Sequence, residues 1–419
     1  MKCFVRRVCF VLFAAAVFST GIFAQQALTW QQVQEKFATA NPFLLAGQVG
    51  VEESRAQEIT AYLRPNPILG LTADQLNPFP GGPSHSTFGD VLSVATLSYL
   101  HERRHKRDLR LESAQDNTKI TISGQADLQR NLLFTLRGSF VQILHEKAVL
   151  ALAKENLSYY DHLLDVNRDR YKAGAIAQVD LDRLEIQRVQ YESDLQTAEV
   201  TLRTAKIQLL QLLNDRTPVE QVDVTGPYDF SSDVQDLTTL RQMALDTRPD
   251  LMSAMQTVDK ARNDYQLAVA NGSTDPIFSF DAGRNPPIDQ YVGVGVTIPL
   301  RIFDHNQGEK LRTKLDIQRS ERLTEATRAQ VFNDVDSAHA TLLSTVTLLK
   351  PYKEHYLPQA LRIRDTISFS YEHGAASLLD FLNAQADYRA VQLSYLNLIS
   401  SYLVAASQLN LAVGREVIP

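Results

Sequence analysis

The stretch YKAGAIAQVDL opens at Tyr171 and YEHGAASLLDF opens at Tyr371, so tyrosine, glycine, alanine and aspartate recur at an offset of 200 residues. The same offset carries a stripe of apolar side chains. Tyr191, Leu195, Ala198, Leu202, Ala205, Leu209 and Leu212 become Val391, Tyr395, Leu398, Tyr402, Ala405, Leu409 and Ala412, at alternating spacings of four and three. A seam of this kind is what a helix offers to a coiled-coil neighbour. A chain that repeats itself at this period builds one unit twice. Upstream, ANPFLL at Ala40 is echoed by RPDLMS at Arg248, and NPIL at Asn66 by DPIF at Asp275. The reading divides the chain into a leader over 1–24, a first repeat over 25–214, a connector over 215–235, a second repeat over 236–414 and a short tail over 415–419.

Helix length narrows the architecture further. No proline occurs from Ser84 to Thr217, and a helix from about residue 103 to 172 would reach about 100 Å at 1.5 Å per residue. No compact globule holds such a rod. The second repeat carries Pro351 and Pro358 in its long helix, where a kink or brief unwinding is expected. Each repeat therefore reads as a shorter helix, a β-hairpin, a long helix, a tight YxxGA turn and an antiparallel return helix.

Strands are expected at 67–76, 88–100, 276–284 and 290–300, flanking the loops NPFPGGPSHST and NPPID. In the last of these, Val292, Val294, Val296, Ile298 and Leu300 alternate with Gly293, Gly295 and Thr297. Such alternation suits a lipid-facing barrel strand and equally a half-buried hairpin in a soluble domain. The remaining composition favours the first. Lys2, Arg6 and Arg7 precede an apolar run from Val8 to Phe18, as in a secretory leader, and both cysteines, Cys3 and Cys9, lie within it. An exported chain without thiols is held by packing or by assembly. The net charge is −6 and becomes more negative once the leader is gone, which argues against nucleic acid as a partner. No run of 18 apolar residues follows, so membrane contact would come through strands. Four strands cannot close alone, and an open edge is excluded from hydrocarbon. Several identical copies could close a barrel of eight, twelve or sixteen strands around one axis.

The ordered set ANPFL, RPNPIL, RPDLM, VGVGVTIPLRIFDHNQGEKLR, the two YxxGA turns and the closing ASLLDFLNAQADYRAVQLSYLNLISSYLVAASQLNLAVG resembles the TolC-type outer-membrane efflux proteins over nearly the whole chain after the leader. The resemblance implies a mainly α protein with a small β part. Duplicated long-helix hairpins would form a trimeric α-barrel, and four strands per chain a shared 12-stranded transmembrane β-barrel. It further implies a homotrimer in the outer membrane of a Gram-negative-type bacterium, reaching into the periplasm. Such a trimer docks on a periplasmic adapter (membrane fusion) protein and an inner-membrane pump, and serves as a passive exit duct with no cofactor. IPLRIFDHNQGE is similar to the branch that works with cobalt, zinc and cadmium exporters, so metal cations or small toxic compounds are the implied cargo.

The resemblance also assigns residues. Tyr171, Gly174 and Ala175 with Tyr371, Gly374 and Ala375 become adapter-binding tips at the periplasmic mouth. Asp180, Tyr371, Asp380 and Asn383 become the gate, with Asp180 bonding to second-repeat partners that include Tyr371. The family's usual example has an arginine where this chain has Ala376, so the resemblance does not carry over the whole gate linkage. Read from the residues alone, YxxGA is a helix stop, and Asp180 and Asp380 are carboxylates favoured at the starts of the return helices.

HERRH, from His101 to His105, matches the H-E-x-x-H pattern of zinc proteases. That chemistry would need His101 and His105 on one helical face, Glu102 as general base and a third ligand. The extended form wants glycine at 108 and histidine at 111, where Asp108 and Leu111 stand, and no glutamate lies between 113 and 145. Positive charge on Arg103, Arg104, Lys106 and Arg107 opposes a divalent cation. In the duplicated layout these four fall where a strand leaves the bilayer, and they are expected either to meet outer-membrane lipid phosphates or to form a solvated face. No catalytic or metal site is assigned. A periplasmic coiled-coil adapter or scaffold is the alternative reading, and a secreted zinc protease the remote one.

Overall fold

The computed structural model describes residues 27–75, 91–285 and 288–418. The leader over 1–24, the loop NPFPGGPSHST, the start of the second expected strand at 88–90, Pro286, Pro287 and Pro419 lie outside the described residues. Helices α1 (Trp30–Ala40) and α2 (Pro42–Tyr62) are followed by strands β1 (Ile68–Asp74) and β2 (Leu92–Leu100). Helix α3 (Lys106–Lys172) turns at Gly174 into α4 (Gln178–Leu212). The order then recurs as α5 (Leu237–Thr247), α6 (Pro249–Asn271), β3 (Ile277–Asn285), β4 (Ile288–Thr297), α7 (Gln307–Pro351), α8 (Leu357–Glu372) and α9 (Leu378–Val413). The 67 residues of α3 make a rod of about 100 Å.

Local chemistry sets the breaks. Asn41 separates α1 from α2 by accepting from Phe43 and Leu44 N–H, with Pro42 at the first helical position. Its amide also donates to Leu212 O, at the end of α4, over 2.9 Å. In the second half Arg248 takes the equivalent place and donates to Ala412 O, near the end of α9, over 3.2 Å. Between α7 and α8, Tyr352–Tyr356 is π-helical. Pro358 has no N–H to donate and its ring would crowd the carbonyl of Glu354, a conflict that the wider turn relieves.

The long helices lie side by side: α3 packs on α2 and α6 toward one end, and on α4 and α9 toward the other. One apolar core gathers Val33, Phe37, Phe140 and Leu209 from the first half, and a second gathers Leu240, Val335, Leu342 and Leu409 from the second half. A third, around Tyr160, Leu184, Tyr371 and Phe381, joins the two helical hairpins near their turns. The connector is tied down as well: Tyr228 donates to Leu396 O over 2.7 Å, and His145 Nδ1 lies 2.8 Å from its hydroxyl. Helix α9 contains an 18-residue window apolar enough to cross a membrane, with a mean hydropathy of 1.3, although no uninterrupted apolar run occurs in it. Half of that window is buried against the neighbouring helices, which accounts for its composition.

All four strands form one antiparallel sheet in the order β1-β2-β3-β4. The hairpins of the two halves thus pair with each other through β2 and β3. Among the described residues β1 and β4 each have a neighbour on one side only.

Candidate functional site

The sheet register sorts the side chains into two faces. Leu69, Leu97, Phe280 and Val294 stand in line across the four strands, and so do Leu71, Ala95, Ala282 and Val292. A third line, Tyr99, Phe278 and Val296, completes a face that is apolar at every one of these positions. The opposite face carries Gly70, Thr96, Asp281 and Gly293 in one line and Ile68, Ser98, Ser279 and Gly295 in the next. Thr96 donates to the Asp281 carboxylate there over 2.7 Å. Leu71 is 78% and Val294 88% exposed, so among the described residues nothing covers the apolar face. Apart from Ile68 at the start of β1, these lines are apolar on one face and polar or small on the other, the pattern of a barrel wall between lipid and water.

Where the sheet gives way to helices, the basic cluster divides. Arg103 and Arg104 are exposed. Lys106, expected among the lipid-facing cations, is instead 3% exposed and bonded to the Asp275 carboxylate and to Ser273 O. Its ammonium finds an anion of the second half in place of a lipid phosphate. Arg107 stacks on the Tyr62 ring at 4.2 Å and donates to its hydroxyl. Residues 101–105 precede α3, with Arg104 and His105 in left-handed conformation, so the two histidines do not sit one turn apart on a helix. Glu102 is held by the Arg110 guanidinium, which raises the already high pKa of that arginine and occupies the carboxylate a zinc protease would need.

At the far end, both YxxGA turns close in the same way. Gly174 and Gly374 have φ of 72° and 75°, a region that a Cβ disfavours, and nothing lies within 4 Å of where a Cβ would stand. Ala175 N–H reaches back to Arg170 O over 2.8 Å, and Ala375 N–H to Ser370 O over 2.7 Å. The tyrosines differ. Tyr171 is 39% exposed, whereas Tyr371 is 6% exposed, stacked on Phe381 with ring centroids 4.9 Å apart. The Tyr371 hydroxyl donates to Asn167 Oδ1 over 3.1 Å. Asp180 lies near enough to act on Tyr371 through space. Burial pushes the phenol pKa up, Arg170 over the ring opposes this, and Asp180 adds to it.

Asp380 is exposed and engaged in a capping box with Ser377: the Asp380 N–H donates to the Ser377 hydroxyl, and the hydroxyl and the Ser377 N–H donate to the carboxylate. Asn383 follows one turn on, exposed on the same side. In the first half Ala177 replaces the capping serine, and Asp180 makes no side-chain bond to it. Asn167, Arg170 and Ser377 are the residues that sequence reasoning passed over. Ser377 was readable, since Ser-x-x-Asp ahead of an apolar run is a helix-start signature, whereas Asn167 gained its role from a partner 204 positions away.

Comparisons with known proteins agree with this geometry. The sequence model of the family described as "Outer membrane efflux protein" matches residues 240–415. The cobalt-zinc-cadmium resistance protein CzcC of Cupriavidus metallidurans is 23% identical over 96% of this chain and 96% of its own length. The pyoverdine export outer membrane protein OpmQ of Pseudomonas aeruginosa is 25% identical over 74% of this chain and 66% of its own length. Among solved structures, CusC superposes with a TM-score of 0.78 at 18% identity, covering 92% of both chains. The outer membrane protein VceC of Vibrio cholerae gives 0.75 at 14% identity, over 93% of this chain and 96% of its own. Members of this family are channels and not enzymes. With the family's sequence pattern on the second half, a relative aligned through both halves and the fold shared almost end to end with CusC, the chain is similar throughout to outer membrane efflux proteins of the TolC type.

Proposed function

We propose that three copies of this chain close their four-stranded sheets into one twelve-stranded barrel through the outer membrane. Their helices then continue it as a tube that takes cargo from a periplasmic adapter and an inner-membrane pump. The observation that carries this reading is the sheet itself, apolar on one face, polar on the other, and without a partner on β1 or β4 among the described residues. Backbone groups on those edges cannot stay unpaired in hydrocarbon, and only another copy can satisfy them while enclosing water. A second observation supports it. On α4, Val179, Ile186, Val200 and Ile207 fall in one heptad register and are 58, 73, 62 and 49% exposed. A seam of this kind calls for a helical neighbour.

In such an assembly the tips at Gly174 and Gly374 point together into the periplasm, where Tyr171, Ala175 and Ala375 are free to meet adapter hairpins. Asp380 and Asn383 of each copy then line the mouth, while Tyr371 works from within the hairpin core. Metal cations are the cargo favoured by the full-length similarity to a cobalt-zinc-cadmium resistance protein. Outer-membrane fractions should contain a heat-modifiable trimer that conducts ions in planar bilayers. A monomer that does not conduct would overturn the proposal. Asp380→Asn should weaken block of the single-channel current by trivalent cations, and unchanged block would remove Asp380 from the mouth.

A further inference from the structure

The apolar row of β4 does not end where its hydrogen bonds end. The ladder closes with Ile277 opposite Thr297, yet Val292, Val294 and Val296 are followed at the same period by Ile298, Leu300 and Ile302, with Phe303 next. Ile298, Leu300, Ile302 and Phe303 are 55, 78, 65 and 89% exposed. No helix or turn intervenes between Thr297 and Leu300, after which the chain turns, with Ile302 N–H donating to Leu300 O over 3.1 Å.

Length gives this extension a meaning. An apolar band about 25 Å tall, crossed by strands tilted by about 40°, needs about 33 Å of strand, or about ten residues at 3.3 Å each. Val292 to Val296 supplies about 13 Å. Val292 to Leu300 supplies about 26 Å, most of that length, and the turn that follows leaves Ile302 and Phe303 at its end. On the adjoining strands the apolar rows stop at Tyr99 and Phe278, and the exposed Arg103 and Arg104 follow closely. Apolar and basic side chains exposed together at one edge of a barrel match the chemistry of a lipid headgroup boundary.

A second copy is the other candidate cover, since β4 is an edge strand. The strand to pair with it would be β1, which begins at Ile68 after Pro65 and Pro67. Prolines cannot donate to a ladder, so strand pairing does not continue along 298–302.

We propose that Ile298, Leu300, Ile302 and Phe303 form a lipid-embedded anchor, seated at the periplasmic boundary of the outer membrane's inner leaflet and setting how deep the barrel sits. The proposal rests on the barrel reading above, and the test separates the two. The chain has one tryptophan, Trp30, which lies in the helical part. Trp30→Phe therefore provides a silent background, into which Phe303→Trp, or Leu300→Trp should the first fold poorly, is introduced. Val294→Trp serves as the barrel reference. The trimers are reconstituted in dioleoylphosphatidylcholine vesicles with and without phosphatidylcholine brominated near the headgroup or deep in the chain. The tryptophan at 303 is expected to emit to the blue of an exposed indole and to be quenched more by the shallow bromine, and that at 294 more by the deep one. Quenching at 294 but not at 303 overturns the anchor and leaves the barrel standing. Absence of quenching at both positions overturns the barrel reading and the anchor with it.

Discussion

Removing the Asp275 carboxylate should be the most damaging single change at the junction between sheet and helices. Lys106 Nζ is bonded to Asp275 and to Ser273 O at 3.0 Å, while Asp275 also accepts from Arg103 N–H at 2.9 Å. The two side chains are 4% and 16% exposed. Asp275→Ala leaves an ammonium buried against one carbonyl and should cost about 3–5 kcal/mol. Lys106→Met leaves a carboxylate that keeps its backbone donor and some water, and should cost about 1.5–3 kcal/mol. The double change Lys106→Met with Asp275→Leu replaces the pair by apolar atoms of similar bulk and should cost less than Asp275→Ala alone. A cycle of guanidine unfolding curves followed by far-UV circular dichroism, closed with Asp275→Leu as the second single variant, would therefore show a coupling of at least about 1.5 kcal/mol. Single costs that add to within about 0.5 kcal/mol would refute the claim that this pair fixes the start of α3 against β3.

Three further outcomes follow from the same geometry. Burial holds the His145 imidazole below its ordinary 6.5, against a smaller opposing effect of Glu146, so the folded chain favours the neutral ring. Stability from this site is present above that value and lost as the pH falls beneath it, and His145→Gln should flatten the fall in melting temperature between about pH 7.5 and pH 5. Gly174→Ala or Gly374→Ala should cost about 1–2 kcal/mol from the left-handed backbone alone, read as increased protease cleavage at the tip; a much larger loss would mean a clash that the open space there does not predict. Ser377→Ala should cost about 1 kcal/mol and speed amide exchange at Asp380 and Phe381, with no change at Asp180 and Leu181.

Periodicity carried most of the fold. The repeats, the long helix and the alternation in β4 were all legible because each rests on spacing within one segment. Partner choice was not. Lys106 read as one of four cations in a row, and only the approach of Asp275, 169 positions away, turns it inward. Tyr171 and Tyr371 are equivalent in sequence, yet one is exposed and the other enclosed between Phe381, Asn167 and Arg170, because the hairpin that receives Tyr371 is built by the other half of the chain. A duplicated sequence predicts a duplicated backbone, and the side chains then diverge wherever the two copies face each other.

The helix junctions show how far that divergence can go without altering the backbone. Asn41 caps α2 and binds Leu212 O; Arg248 binds Ala412 O, 200 positions on from Leu212, but provides no side-chain cap to α6. Arg248 instead bonds Asp250 and Asp334, with its own pKa raised by those carboxylates against the effect of burial. Arg248→Ala should cost about 1–3 kcal/mol, since Asp250 and Asp334 lose the guanidinium but keep Arg130 and Gln330 beside them. Arg248→Asn also loses the ion pairs, yet it restores the acceptor that Asn41 offers its own helix, and should recover about 1 kcal/mol of that loss. The two variants are compared by their guanidine midpoints at equal slope. Should asparagine prove no better than alanine, the junctions would share a position in the repeat but not a mechanism, and capping could not be what keeps the chain bent at Arg248.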